Sequence, residues 1–409
     1  MDLHRRTFAA LRHRNFRLFW FSQLVSLTGT WMHVIAQGWL VLELTDSPFW
    51  LGAVGAAGTL PILLFSLLGG VAADRVRKRN LLLTTQGAAT LLALLLAVLA
   101  TLGAVTVWHV LVIAFLLGTV NALDMPSRQA FVVEMVGRED LLNAIALNSF
   151  TFNAARALGP ALAGAIVATA GTTACFYANA ASFVPVVAAL GLMRELRPAP
   201  ARPAVSILAD LREGFAYLAR ERRFQGFIGL VGAASLLGFP CITMLPAFAR
   251  DVVHTDARGF GLIMGASGVG ALLAALSLAS RGRTEVGGRT VVGAGILFGA
   301  TLALFAGTRS LATAIPLIAI SGGAMVAQAA SANTIIQAGV PDALRGRLMS
   351  IFTLVMMGGM PIGNVIVGAL AVRFGTPWAV ASFGAALCAA ILAIAAARPE
   401  IFRPASRER

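Results

Sequence analysis

The sequence predicts an all-α integral membrane protein, with twelve transmembrane helices in two pseudo-symmetric six-helix bundles. Three observations carry this expectation. Hydrophobic residues make up 58% of the 409-residue chain and charged residues 12%, about half the charged share of a soluble protein. The apolar residues fall into runs of about 20 or more, the length a helix needs to cross ~30 Å of hydrocarbon at 1.5 Å per residue. The basic residues gather on alternate connections between those runs, as loops on one side of a membrane do.

The first apolar run, near 16–44, follows Arg5, Arg6, Arg12 and Arg14 and encloses Arg17. It is too long for a signal peptide and lacks a small-residue cleavage site, so it is read as span 1. Ser47-Pro48 supplies a cap and a first-turn proline for span 2, near 49–73. Spans 3 to 6 lie near 80–102, 107–129, 142–169 and 173–193. Spans 7 to 12 lie near 224–249, 259–280, 289–307, 311–337, 347–371 and 376–397. Trp20, Trp39, Trp50, Trp108 and Trp378 stand near span ends, where an interfacial aromatic belt is expected.

Between spans 6 and 7 runs the longest polar stretch, with Pro198, Pro200 and Pro203. Beyond them Ile207, Leu208, Leu211, Phe215 and Leu218 recur at helical spacing among charges, which reads as an amphipathic helix on the inner leaflet. The expected organisation is a bundle over 1–193, a linker over 194–223, a second bundle over 224–397 and a tail over 398–409. The halves echo each other. Ala155, Gly159 and Gly164 in span 5 match Gly359, Gly363 and Gly368 in span 11, each at an offset of 204, and Val136 matches Val340 at the same offset. Six-helix repeats are a transporter architecture with the substrate held between the halves.

The formal net charge is +14, yet Lys78 is the sole lysine and the basic residues sit between apolar runs, not along one domain face. This argues against nucleic acid as a partner. Of 32 basic residues, 27 fall on the side of both termini, whereas Arg250, Arg258, Arg309 and Arg373 fall opposite and Arg156 lies within span 5. That bias predicts a multi-pass protein of the bacterial inner membrane with both termini and the central loop in the cytoplasm. Cys175, Cys241 and Cys388 all lie inside apolar runs and read as small buried hydrophobes.

Polar residues inside spans are expensive and point to function. On span 1, Gln23, Ser26, Thr30, His33 and Gln37 share a face about 80° wide and are expected to line an aqueous, substrate-binding cavity. Asn153 and Arg156 on span 5 join them; Arg156 keeps its charge and suits an anionic cargo group. On span 4, Asn121, Asp124 and Arg128 share one face, with Pro126 able to kink the helix. Asp124 is expected to exchange the coupling proton or to serve a structural ion pair, with His33 and Glu43 the other proton candidates. On span 11, Met349, Thr353, Met356, Met360 and Asn364 share a face. The thioethers of Met356 and Met360 suit a wall for varied apolar cargo and equally suit plain packing.

The connection between spans 2 and 3 reads Gly70-Val-Ala-Ala-Asp74-Arg75-Val-Arg77-Lys78-Arg79. It resembles the hallmark motif of the major facilitator superfamily. The glycine is expected to allow close helix approach, Asp74 to cap a neighbouring helix end, and Arg75, Lys78 and Arg79 to reach carboxylates at the inner end of span 4, with Arg128 part of the same gate. Arg77 stands where the motif usually has a turn glycine, and the second-half copy, Ser280-Arg281-Gly282-Arg283, lacks the aspartate. Span 5 carries Ala155-Arg156-Ala-Leu-Gly159-Pro160-Ala-Leu-Ala163-Gly164, similar to the superfamily's antiporter motif with alanine at two of its glycines. Ala155, Gly159 and Ala163 form a smooth packing stripe, and Pro160 removes a donor and permits a bend.

The wider wording resembles one branch of that superfamily, the transmembrane secretion effectors, to which enterobactin exporters belong. Arg14-Asn-Phe-Arg-Leu-Phe-Trp20, Gln37-Gly-Trp39, Leu44-Thr-Asp46-Ser-Pro48 and Pro126-Ser-Arg128-Gln129 carry the likeness. The resemblance implies export of an organic small molecule, siderophore- or drug-like. There is no phosphate loop, catalytic set or metal-ligand spacing, so neither enzyme nor cofactor is expected and transport must run on an ion gradient. The expected function is secondary export by proton-coupled alternating access, with small-molecule substrate, protons and membrane lipid as partners. An importer or lipid flippase on the same fold, or a non-transporting membrane sensor, are the rival readings.

Overall fold

A computed structural model describes residues 8–137, 139–193, 207–280 and 287–403. The proline-rich stretch 194–206, the motif copy at 281–283 and the tail beyond 403 lie outside the described residues, as do the side chains of Asp74 and Arg75. Ten helices among the described residues are long and apolar enough to cross a membrane. One of them, Leu141–Leu192, turns at Gly171 (φ 80°) and so contains spans 5 and 6. Span 1 is the 32-residue helix Arg14–Thr45, whose own polar stripe lowers its hydropathy. Every expected span is therefore found as helix: span 2 is Pro48–Arg75, span 3 Lys78–Thr101, span 4 Val107–Val136, span 7 Arg222–Thr243, span 8 Ala257–Ser280, span 9 Gly288–Ala306, span 10 Leu311–Gly339, span 11 Asp342–Phe374 and span 12 Thr376–Ala397.

The chain separates into two compact units, Met1–Thr45 with Ala57–Pro203, and Asp46–Ala56 with Ala204–Arg409. In the first unit, span 1 packs along spans 5 and 6, and spans 3 and 4 pack on each other. Its arginine-rich end is sealed by Phe16, Phe19, Trp20, Leu82, Phe131, Met135, Val186 and Leu190. Trp20 departs from the expected belt: it is 7% exposed, and its indole donates to the Leu147 carbonyl. Trp108 and Trp378 are exposed, as belt residues are. Lipid offers no hydrophobic drive for helices to associate, so small residues that let backbones meet carry the packing. The expected close approach at Gly70 moves by one residue. A Cβ on Gly70 would meet nothing within 4 Å, whereas one on Gly69 would lie 2.2 Å from the Ala122 carbonyl oxygen of span 4.

In the second unit, span 7 contains a π-helical turn, Ala234–Gly238, that faces span 11. A Cβ on Gly363 would lie 2.1 Å from the Leu236 oxygen, and Ser235 Oγ donates to the Met356 carbonyl at 2.6 Å. The linker forms a helix, Ile207–Arg220, with its small residue Gly214 buried against Arg347 and Ile351 of span 11. Glu213 of that helix accepts from Arg347 at 2.6 Å. Phe215, expected on the apolar face, is 47% exposed. Cys175 and Cys241 are buried and Cys388 half-buried, all three as free thiols.

Candidate functional site

Asp124 is a buried, fully engaged carboxylate within span 4. Its residue is 1% exposed. One oxygen accepts from Thr85 Oγ1 and Gln86 Nε2 of span 3, each at 2.8 Å, and the other pairs with Arg128, one turn along span 4. Three donors around one anion offset the cost of taking it out of water. Asp124 and Arg128 thus meet as their helical spacing requires. Thr85 and Gln86 were missed in the sequence, although two adjacent polar residues inside span 3 are themselves a signal by the rule that intramembrane polar groups need partners. Asn121, on the same face of span 4, is exposed.

The span 1 stripe lies largely inside its own bundle. Gln23, Ser26 and His33 are buried, while Thr30 and Gln37 are half-buried. His33 Nε2 lies 3.0 Å from Gln37 Oε1, and the imidazole meets the Phe176 ring of span 6 edge-on at 5.1 Å. His33 Nδ1 and both polar atoms of the Gln23 amide are buried without a hydrogen-bond partner. Such groups are uncommon in folded proteins. Glu43 is exposed near the far end of span 1, with Trp39 one turn before it donating to it.

On span 5, Arg156 is 8% exposed and its guanidinium stands over the Trp31 ring at 5.7 Å. Trp31 meets Phe152 edge-to-face at 5.9 Å, so the cation belongs to an aromatic cluster. Asn153 bonds to the Ser149 carbonyl of its own helix. Ala155, Gly159, Pro160 and Ala163 are buried, and the helix runs through Pro160 without a break.

At the start of span 3, Lys78 pairs with Glu134 near the end of span 4 at 2.8 Å, with both side chains mostly buried, whereas Arg79, expected to reach a carboxylate of span 4, donates to the Gly191 carbonyl of span 6. A second clamp was not legible in the sequence. Arg12 and His13 both reach Asp140, at 2.8 and 2.7 Å, and Asn143 Oδ1 accepts from the Ala10 amide. His13 and Arg12 together hold the Asp140 carboxyl below its usual range.

In the second unit Met356 and Met360 are half-buried on span 11, and Asn364 is buried, accepting from Thr243 Oγ1 at 2.9 Å. At the opposite ends of these spans, Arg250 forks between Asp46 and Asp251, each at 2.6 Å. A cavity of about 390 Å³ opens nearby, bordered by Asp251, His254, Arg309 and Thr376. None of the residues expected from the sequence to bind substrate lines it. Among the described residues no group of His, Cys, Asp and Glu could hold a metal ion.

Apolar helices gathered into two compact units, tied together by small residues and by buried ion pairs, define a membrane transporter of the major facilitator class. The chain belongs to the transmembrane secretion effector family, whose profile matches residues 5–404. It is similar to the multidrug efflux pump Tap of Mycolicibacterium fortuitum, at 27% identity over 86% of this chain and 88% of that one. It is 28% identical to a staphyloferrin A transporter of Staphylococcus aureus over 64% of this chain and 66% of the other. With the enterobactin exporter EntS of Citrobacter koseri it shares 23% identity over 90% of this chain and 88% of that one. Among solved structures, a POT family transporter in complex with 5-aminolevulinic acid superposes with a TM-score of 0.76 at 12% identity, covering 95% of this chain and 97% of that one. The nucleoside transporter NupG superposes with a TM-score of 0.72 at 15% identity, covering 93% and 98%. The protein is a transporter and not an enzyme.

Proposed function

We propose that the protein exports an organic small molecule, siderophore- or drug-like, across the bacterial inner membrane in exchange for protons, with both termini and the linker in the cytoplasm. Family membership and relatives named for drug efflux and siderophore transport support this direction of transport and class of cargo. The 27 to 4 division of basic residues supports the topology. The expected division into bundles 1–193 and 224–397 is kept in this reading, although Asp46–Ala56 groups with the second compact unit; alternating access is the mechanism that six-helix repeats suit.

The observation that carries the coupling is the buried Asp124–Arg128 pair, with its donors Thr85 and Gln86 on the neighbouring span. A proton added to Asp124 cancels the anion and releases Arg128 and the span 3 donors together. Proton and cargo that bias such a network in opposite directions give antiport, because each disfavours the other. A proton crossing 100 mV yields about 2.3 kcal/mol, enough for roughly fifty-fold accumulation. His33 and Glu43 are the next proton candidates in this reading. Gln23, Ser26, Thr30, Gln37, Asn153 and Arg156, with Met356 and Met360, serve as the cargo-binding set, Arg156 and Trp31 favouring an anionic or aromatic group.

Flux of a fluorescent drug and of a siderophore in inverted vesicles tests the reading. Asp124→Asn should abolish export driven by a pH gradient and leave downhill exchange measurable. Normal gradient-driven export by that variant would move the proton to His33, and uptake in place of export would support an importer.

A further inference from the structure

The linker helix and span 7 meet at a fastened corner. Only Glu221 separates Ile207–Arg220 from Arg222–Thr243, and Gln225 Nε2 donates back to the carbonyls of Leu218 and Ala219, each at 2.9 Å. The turn after span 12, Pro399–Phe402, is seated on the same corner. Ile401 is fully buried, and a Cβ on Gly226 of span 7 would lie 2.5 Å from its Cδ1 and 3.3 Å from Arg398 Cβ. The arginines on these elements therefore have fixed places. Arg212, Arg220, Arg222 and Arg403 are exposed, and Arg223 and Arg398 half-buried. Arg223 lies 5.9 Å over the Phe227 ring, and its Nε is buried without an acceptor. Of the described carboxylates here, Glu213 is held by Arg347, which leaves Glu221 and Glu400 against six arginines. Phe215 on the linker helix and Phe402 on the turn after span 12 are 47% and 42% exposed.

We infer that this rim of the second unit is a headgroup site for anionic phospholipid, taking the phosphodiester of a lipid with net negative charge such as phosphatidylglycerol. The arginine excess matches that charge, and guanidinium is the side-chain group whose fork fits phosphate oxygens. The position favours lipid over a soluble acidic partner. The patch rings the ends of apolar spans, where exposed phenylalanines beside arginines sit at headgroup depth. The site does not depend on what cargo is carried. It gives the linker a reason to be cationic, and it reaches span 11 through Glu213 and Arg347, so the lipid is placed to bias that helix.

Spin-labelled phosphatidylglycerol and phosphatidylcholine, compared with the purified full chain in vesicles, test the inference. Because both leaflets have one composition, the result is independent of sidedness and of transport. Phosphatidylglycerol should be immobilised preferentially, the preference should fall with added salt, and each of Arg212→Gln, Arg220→Gln, Arg222→Gln and Arg403→Gln should weaken it by up to about fivefold, the gain of one basic side chain at an anionic surface. The combined Arg250→Gln/Arg309→Gln variant, at the other ends of the spans, should keep the preference. A wild-type protein without preference overturns the site, and so does equal loss in both sets. Thermal unfolding in detergent identifies any variant that fails to fold, for which the single substitutions then decide.

Discussion

Gly159 of span 5 lies so close to Trp31 of span 1 that a Cβ built on it would stand 2.5 Å from the Trp31 Cβ and 2.9 Å from the Thr28 oxygen. The positions 204 residues on are Gly363 and Ser235, so the glycine recurs and the tryptophan does not, and there the glycine of span 11 meets Leu236, the next residue of span 7, at 2.1 Å. The internal repeat is thus a repeated contact, one helix crossing within each unit. It also explains the small residue in the span 5 motif: backbone against backbone leaves no room for a side chain.

Glycine substitutions separate packing from motif. In a helix alanine normally gains roughly 0.5–1 kcal/mol over glycine, but overpacking costs about 1–3 kcal/mol. Gly69→Ala, Gly159→Ala and Gly363→Ala should each lower the unfolding temperature in detergent, whereas Gly70→Ala should leave it unchanged or raise it. A loss at Gly70 equal to that at Gly69 would contradict the open surroundings of Gly70.

The Asp124–Arg128 pair makes a stability prediction apart from transport. Removing one partner strands the other inside the bilayer, at a cost of about 3–5 kcal/mol. Asp124→Asn should therefore destabilise more than the double variant Asp124→Asn/Arg128→Gln, in which no charge is left uncompensated. Equal or greater loss in the double variant would mean the two side chains act separately.

Acid should release the N-terminal clamp. His13 and Arg12 hold the Asp140 carboxyl below its ordinary range, so the docking of Ala9–Arg12 is complete above the unfolded carboxyl's pKa of roughly 3.9 and is lost as pH falls through the lower native value. Amide exchange over residues 8–13 should rise at that acid limb in the wild type and be fast at every pH in Asp140→Asn. A pH-independent signal in both proteins would remove the carboxylate from the clamp.

The arginine bias predicts the topology. Reporters fused after Arg79, within 197–206 and after Arg403 should all report cytoplasm. A periplasmic signal at 197–206 would refute the inward linker and two bundles of equal orientation.

Much of this protein was legible along the chain because a bilayer imposes a local rule. Each span must satisfy its own backbone and be long and apolar enough by itself, so the twelve segments, the turn near Gly171, the linker helix from 207 and the grip of Lys78 on span 4 all follow from residues near one another or from fixed motif spacing. What tertiary structure alone decided is the rotation and partner of each helix. Span 1 has one polar stripe by arithmetic, but only packing shows that Gln23 and His33 turn toward the bundle and that His33 meets Phe176. Trp20 stands where a belt residue would, yet docks on Leu147. Asp124 announces that it needs partners without saying that Thr85 and Gln86 supply them, and nothing local joins Arg12 and His13 to Asp140. Close approach at Gly69 and not Gly70 is likewise a matter of 100° of helix rotation. Hydrophobicity and length act on one helix at a time, whereas facing is set by the shapes of its neighbours, which lie far away in the chain.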